Sequence, residues 1–171
     1  MGLNIVGGIL AQVSSIADGI DGGLARRKNM TSAFGSFFDA LLDRYSDSLI
    51  ILGMTLWAAT NEAFGGIWLV GFAAMIGTLV VSYSRARIEH QFRTIFDRGP
   101  TSLASRDVRI FIMMIGSISG YLFFTLLFVA ILTNSIAIFR LIYTYRLYAV
   151  RKNTVETTKS EYTRVMKAPV E

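Results

Sequence analysis

The sequence predicts an all-α fold, a polytopic membrane helix bundle, and three observations carry that prediction. Hydrophobic residues fill 53% of the 171 positions and charged residues only 17%, a balance foreign to soluble domains. The apolar residues fall into five runs, each much longer than the ~4 to 8 residues of an ordinary strand. The Lys and Arg residues behind the net charge of +5 gather at the ends of those runs. That distribution marks membrane topology, and it argues against a nucleic-acid partner, which needs a basic face. The chain has no cysteine and a single histidine, His90, so disulfides and thiolate metal sites are excluded and a metal is left to oxygen ligands.

The first run, 3–17, is short for the ~20 residues that span a bilayer, and its helix is expected to continue to Arg26. The second covers 34–60 and the third 67–88. The fourth covers 108–132, a turn is expected at Thr133 and Asn134, and the fifth run, 135–150, continues into polar sequence. Neither the connection 61–66 nor that turn contains Lys or Arg. The other side carries Arg26, Arg27 and Lys28, then Arg87, Arg93, Arg98 and Arg106, then Arg151, Lys152, Lys159, Arg164 and Lys167. By the positive-inside rule the basic segments are cytoplasmic, and five alternating helices satisfy it throughout. Met1 then begins outside with no basic flank and no cleavable signal pattern. The expectation is a membrane domain over 1–153 holding five helices of six, its first helix missing, and a polar cytoplasmic tail over 154–171. The alternative is an intact five-helix protein.

The stretch DGIDGGLARRKNMTSAFGSFFDALLD, Asp18 to Asp43, puts four aspartates beside the membrane. Asp18 and Asp21 are three apart, and Gly35, Asp39 and Asp43 are four apart, so on helices each set shares a face. Two carboxylate pairs are expected to meet across a helical hairpin. One aspartate at a membrane helix end is an ordinary interfacial residue, whereas four at helical spacing repel one another and need cationic compensation. Arg26 and Arg44 supply part of it. A hard divalent ion, Mg2+ or Mn2+, supplies more and suits all-oxygen ligation, and two such ions held by shared carboxylates make a clamp for displacement at phosphorus. Gly22, Gly23, Ala25 and Gly35 leave bare helix surface, for close helix packing or for a bulky ligand beside Arg26.

Asp18-Gly-Ile-Asp21-Gly22-Gly-Leu-Ala25-Arg26, eight residues, Gly35, three residues, Asp39, three residues, Asp43 resembles the signature of the CDP-alcohol phosphotransferases, D-x2-D-G-x2-A-R-x8-G-x3-D-x3-D, at every fixed position. The resemblance implies an integral membrane enzyme that moves a phosphoalcohol group from a CDP-linked donor to an acceptor hydroxyl and releases CMP. Residue by residue, it implies that Asp18, Asp21, Asp39 and Asp43 bind metal and that Asp43 is also the general base. It places Gly22, Ala25, Arg26 and Gly35 around the CDP moiety. The family fold is six membrane helices, usually a homodimer, with its site open to the cytoplasmic leaflet.

For the acceptor, Arg85 and Arg87 stand in SYSRARIEH, Arg106 and Arg109 in ASRDVRIF, and Arg140 in AIFRLIYTYR. An arginine within an apolar segment is costly unless it faces the bundle interior or a charged partner, which singles out Arg140; Arg106 reads as a boundary residue. Arginines converging from three helices make an anion pocket. These segments resemble family members that join lipid donors to inositol phosphate, which implies that Arg85, Arg109 and Arg140 hold the phosphate of a phosphorylated polyol. The spacing DRYSD, Asp43 to Asp47, is similar to archaeal members that make di-inositol phosphates from CDP-inositol, often fused to a nucleotidyltransferase domain. Glycerol phosphate is the other acceptor in view. A cation or proton pathway is the competing class, opposed by the absence of acidic residues within the fourth and fifth runs, and an inactive fragment is the third reading. His90 reads as interfacial, Gly116 and Gly120 as helix packing, and Trp57, Trp68, Tyr143, Tyr145 and Tyr148 as interfacial belts.

Overall fold

The computed structural model describes residues 2–28, 32–92 and 105–166. They form five α-helices, with no strand among the described residues: α1 (Gly2–Arg27), α2 (Ala33–Asn61), α3 (Ile67–Phe92), α4 (Arg106–Ser119) and α5 (Leu122–Met166). Arg93, Arg98 and Lys167 lie outside the described residues, as do the side chains of Ala25, Arg26, His90 and 150–166. Two compact units make up the chain, Met1–Ala137 and Ile138–Glu171.

Stretches long and apolar enough to cross a membrane occur in α1 (Gly2–Leu24), α3 (Ile67–Ile88) and α5 (Leu122–Ala149). Helix α2 has the length, but Asp39, Asp43, Arg44 and Asp47 interrupt its apolar character. Helix α4 has 14 residues and is about 21 Å long. Large apolar side chains such as Val6, Leu10, Val13, Leu69 and Phe72 point outward. Such faces are stable where lipid is the solvent, and the protein is an integral membrane protein.

In the first unit α1 packs chiefly on α4 and α2 on α3. The interior joins Ile51, Met54 and Ala58 of α2 with Ala74 of α3, Ile110 and Met113 of α4, and Leu122, Leu126 and Val129 of α5. Small residues set the close approaches. Gly8 abuts Ser117, Gly71 abuts Thr55, and Gly116 abuts Thr125, while Asn4 Nδ2 donates to the Ser117 carbonyl at 2.9 Å. Gly77 lies against Thr133, whose hydroxyl is fixed by donating to the Val129 carbonyl at 2.7 Å. An added methyl there meets a side chain unable to yield, so Gly77→Ala is expected to cost about 1 to 3 kcal/mol. A shift in the unfolding midpoint in detergent measures it, and an unchanged midpoint refutes the close packing.

The expected turn at Thr133 and Asn134 is incorrect. Helix α4 stops at Ser119, Gly120 follows with φ 78°, and α5 begins at Leu122 and runs through both residues. Glycine alone takes that left-handed conformation without a steric cost. The polar groups read as a helix stop are satisfied inside the helix: Thr133 bonds Val129, and Asn134 Nδ2 donates to Ala130 O at 2.8 Å and to Ala73 O at 3.0 Å. The reading of Gly116 as a packing residue holds, whereas Gly120 is the turn itself. The turn at Gly120 and Tyr121 also lacks Lys and Arg, so the alternation of basic and non-basic connections survives the correction.

At that end of the bundle Glu62, from the α2–α3 connection, reaches the start of α5. Its carboxylate accepts from Leu122 N–H at 2.9 Å and Phe123 N–H at 3.1 Å. A negative group on unsatisfied amides at a helix N-terminus is favourable in both hydrogen bonding and dipole. Phe64 stacks on Phe123 beside it, ring centroids 4.6 Å apart. In the second unit α5 continues from Ile138, with Phe139 stacked on Tyr143 at 6.2 Å, and residues 154–166 remain helical.

Candidate functional site

The last turns of α1 and α3 and the first turns of α2 and α4 contribute the chemistry. Ser32 caps α2, its Oγ accepting from Gly35 N–H at 2.9 Å. From that start Asp39, Asp43 and Asp47 follow at intervals of four and form one row on the helix. Helix α1 brings Asp18 to the row: carboxylate oxygens of Asp18, Asp39 and Asp43 all lie within 4.8 Å of one another. Asp21 is exposed and stands outside that group. Three of the four aspartates expected to act together are therefore assembled by the fold.

The donor set fits a divalent cation. All ligands are oxygen, as hard ions require, and two ligands of one Mg2+ ion stand roughly 3 to 4 Å apart given Mg–O distances of about 2.1 Å. Side-chain rotation covers the remaining difference for Asp39, which is exposed, and for Asp18 and Asp43, which are half-buried.

Arg106, the first residue of α4, fills the centre of the acidic face. Its Nη1 donates to Asp18 Oδ2 at 2.8 Å and contacts Asp43 Oδ1 at 2.9 Å, and its Nε reaches Asp47 Oδ1 at 3.3 Å. Burial alone lowers the affinity of this guanidinium for its proton; the Asp43 and Asp47 charges and the Asp18 and Asp47 hydrogen bonds outweigh it, so the net shift is upward and the group stays cationic. Deeper, Asp47 Oδ2 accepts from Arg109 Nη2 at 2.8 Å, and both side chains are almost sealed, at 1% and 2% exposure. Ser82 of α3 stands 3.4 Å from the same nitrogen. Asp47 thus joins two arginines, one at the mouth of the site and one beneath it.

Arg106 and Asp47 were missed as site residues in the sequence. The signal was present in both cases. Asp47 extends the Asp39–Asp43 row by one more turn, and Asp18, Asp43 and Asp47 give an arginine at the start of α4 three partners.

The other expected residues are placed as follows. Gly22 is half-buried near the end of α1, and Gly35 sits in the first turn of α2 beside the Ser32 hydroxyl. Ala25 and Arg26 belong to the last turn of α1. Arg85 is half-buried on α3. Arg109 is buried against Asp47. Arg140 lies on α5 in the second unit.

The profile of the family described as CDP-alcohol phosphatidyltransferase matches residues 2–143. The chain is 41% identical to a bifunctional IPC transferase and DIPP synthase of Rubrobacter xylanophilus, over 80% of this chain and 30% of that protein. It is 40% identical to an archaetidylinositol phosphate synthase of Methanothermobacter thermautotrophicus, over 69% of this chain and 55% of the relative. A phosphatidylinositol phosphate synthase of Mycolicibacterium smegmatis is 30% identical over 65% of the chain and 48% of its own length. The chain spans between about a third and about half of these curated relatives.

Proposed function

The chain belongs to the CDP-alcohol phosphatidyltransferase family, and from that premise we propose that it transfers a phosphoalcohol group from a CDP-linked lipid donor to a hydroxyl of inositol phosphate, releasing CMP. The observation that carries the proposal is the convergence of Asp18, Asp39 and Asp43 oxygens within 4.8 Å, produced by the family's complete aspartate signature. Asp21, next to the group in sequence, is proposed as the fourth ligand. These aspartates would hold Mg2+ or Mn2+ ions, which would supply charge compensation for the donor pyrophosphate and the departing CMP.

The chain's own residues do the rest. Asp43 accepts the proton of the acceptor hydroxyl as its oxygen forms a bond to the β-phosphorus and the bond from that phosphorus to CMP breaks. Gly22, Ala25 and Gly35 leave room for the nucleotide, and Arg26 pairs with the pyrophosphate. Arg85 orients the acceptor's phosphate; Arg109, sealed against Asp47, and Arg140 are assigned the same task on sequence grounds. Orientation matters more than basicity here, because a carboxylate beside metal is a weak base. The site is proposed to open to the cytoplasm, in keeping with the basic segments at that end, and the protein to work as a homodimer.

Purified protein with Mn2+ and a CDP-lipid is expected to release CMP on addition of inositol phosphate, and much less with unphosphorylated inositol. Equal rates with both acceptors sink the phosphate pocket, and no CMP from any CDP-lipid and alcohol pair sinks the transferase reading. Arg140→Ala is expected to lower use of phosphorylated acceptors by about tenfold or more, the worth of one charge-assisted contact.

A second reading is favoured by the similarity to bifunctional IPC transferase and DIPP synthases, at 41% and 35% identity. In it the donor is CDP-inositol, the product is a di-inositol phosphate, and a nucleotidyltransferase domain acts alongside. Supplying CDP-inositol in place of CDP-lipid, with the same acceptor, separates the two.

A further inference from the structure

The cationic centre of the aspartate cluster is the Arg106 guanidinium, and its position raises a question about binding order. Its Nη1 lies 2.8 Å from Asp18 and 2.9 Å from Asp43, bridging oxygens from two of the three clustered carboxylates. A divalent ion drawing on Asp18 Oδ2 and Asp43 Oδ1 competes with the Arg106 nitrogen that holds the same two oxygens, and the two cations repel.

The two ion pairs around Asp47 differ in kind. Arg109 and Asp47 are sealed, at 2% and 1% exposure, whereas Arg106 is 20% exposed, Asp18 40% and Asp43 19%. Water reaches the first set of contacts and not the second. A half-buried pair that water reaches opens more readily than a sealed one. The Nε contact with Asp47 ties Arg106 to the fixed pair, so its terminal nitrogens can leave Asp18 and Asp43 without the side chain leaving the site.

We infer that Arg106 is the resident counter-ion of the aspartate cluster and that it exchanges with the divalent ion for Asp18 and Asp43. This rests on the metal reading given above. Arg106 holds Asp18 and Asp43 together before the ion arrives, and it lowers apparent metal affinity by the fraction of molecules in which it holds them. Metal uptake and release of the Arg106 fork are then one event.

The test is Mn2+ binding by the full chain in detergent, read as loss of the free-ion electron paramagnetic resonance signal, with no turnover involved. Arg106→Gln is expected to bind Mn2+ about tenfold more tightly than the parent, as removal of a competitor occupying roughly nine-tenths of sites requires. Arg44→Gln is the electrostatic control, since Arg44 acts on Asp43 through its charge; its gain is expected to stay within about twofold, as a screened charge allows. Arg106→Lys keeps a cation without the fork and is expected to gain less than Arg106→Gln. Unchanged or weaker binding in Arg106→Gln overturns the exchange, and so does an equal gain in Arg44→Gln. If Arg106→Gln does not fold, the lysine variant decides in the same way. Failure of the parent and both Arg106 variants to bind Mn2+ at all overturns the metal site together with this inference, whereas binding that ignores Arg106 leaves the transferase reading standing.

Discussion

Asp43→Asn is expected to lower CMP release by about a hundredfold to ten-thousandfold, the range for losing a positioned general base. The carboxylate is engaged three ways: its oxygens belong to the cluster with Asp18 and Asp39, it contacts Arg106 at 2.9 Å, and it is only 19% exposed. Asparagine keeps the shape and one acceptor oxygen but has no charge and takes up no proton. A ligand and a base fail differently. If Asp43 only ligates the ion, saturating Mn2+ restores most of the rate; if it also removes the proton, the loss persists at saturation. Asp18→Asn and Asp39→Asn, which alter the cluster without touching the proposed base, are expected to recover with added Mn2+. An Asp43→Asn enzyme within about tenfold of the parent at saturating metal ends the general-base role.

How much of this was open to reading varied by element. Fold class, the helix from Gly2 through the aspartates, and the meeting of Asp18 with Asp39 and Asp43 were legible, because helical spacing and membrane-length apolar runs act locally. The α4–α5 boundary was not. From Ile110 to Ile142 the chain is apolar almost throughout, so hydropathy offers no break, and Thr133 with Asn134 is the more polar interruption. Those side chains bond to carbonyls one turn back and pass through the helix, an option open to Thr and Asn in apolar surroundings. The turn instead fell at Gly120, where backbone conformation, invisible to a hydropathy reading, decides.

Arg106 and Asp47 illustrate a different limit. They pair across 59 positions of sequence, and no local period announces such a contact. Asp47, like Arg140, is a charge within one of the apolar runs, and such a charge needs a buried partner of opposite sign. Glu62 is a third case: an acid in a short connection looks like a solvated loop residue until the bare amides of α5 arrive beside it.

Asp47→Ala is expected to destabilise the protein by about 3 to 5 kcal/mol, the usual penalty for breaking a buried ion pair by removing one partner. Asp47 and Arg109 are both sealed, their side chains 1% and 2% exposed. Alanine leaves the Arg109 guanidinium buried without its 2.8 Å carboxylate partner and unties Arg106 Nε at the same time. Asp47→Asn keeps one acceptor and is expected to lose less. The decisive variant is the double one. Asp47→Leu with Arg109→Met replaces the sealed pair by apolar groups of similar reach, and a buried ion pair so replaced is often no less stable than before. The double variant is therefore expected to melt above Asp47→Ala, while the loss of the Arg106 tether persists in both. Unfolding midpoints in detergent for the set give the coupling. An Asp47→Ala midpoint equal to the parent's, or a double variant that falls below Asp47→Ala, removes Asp47 as the keystone between site and core.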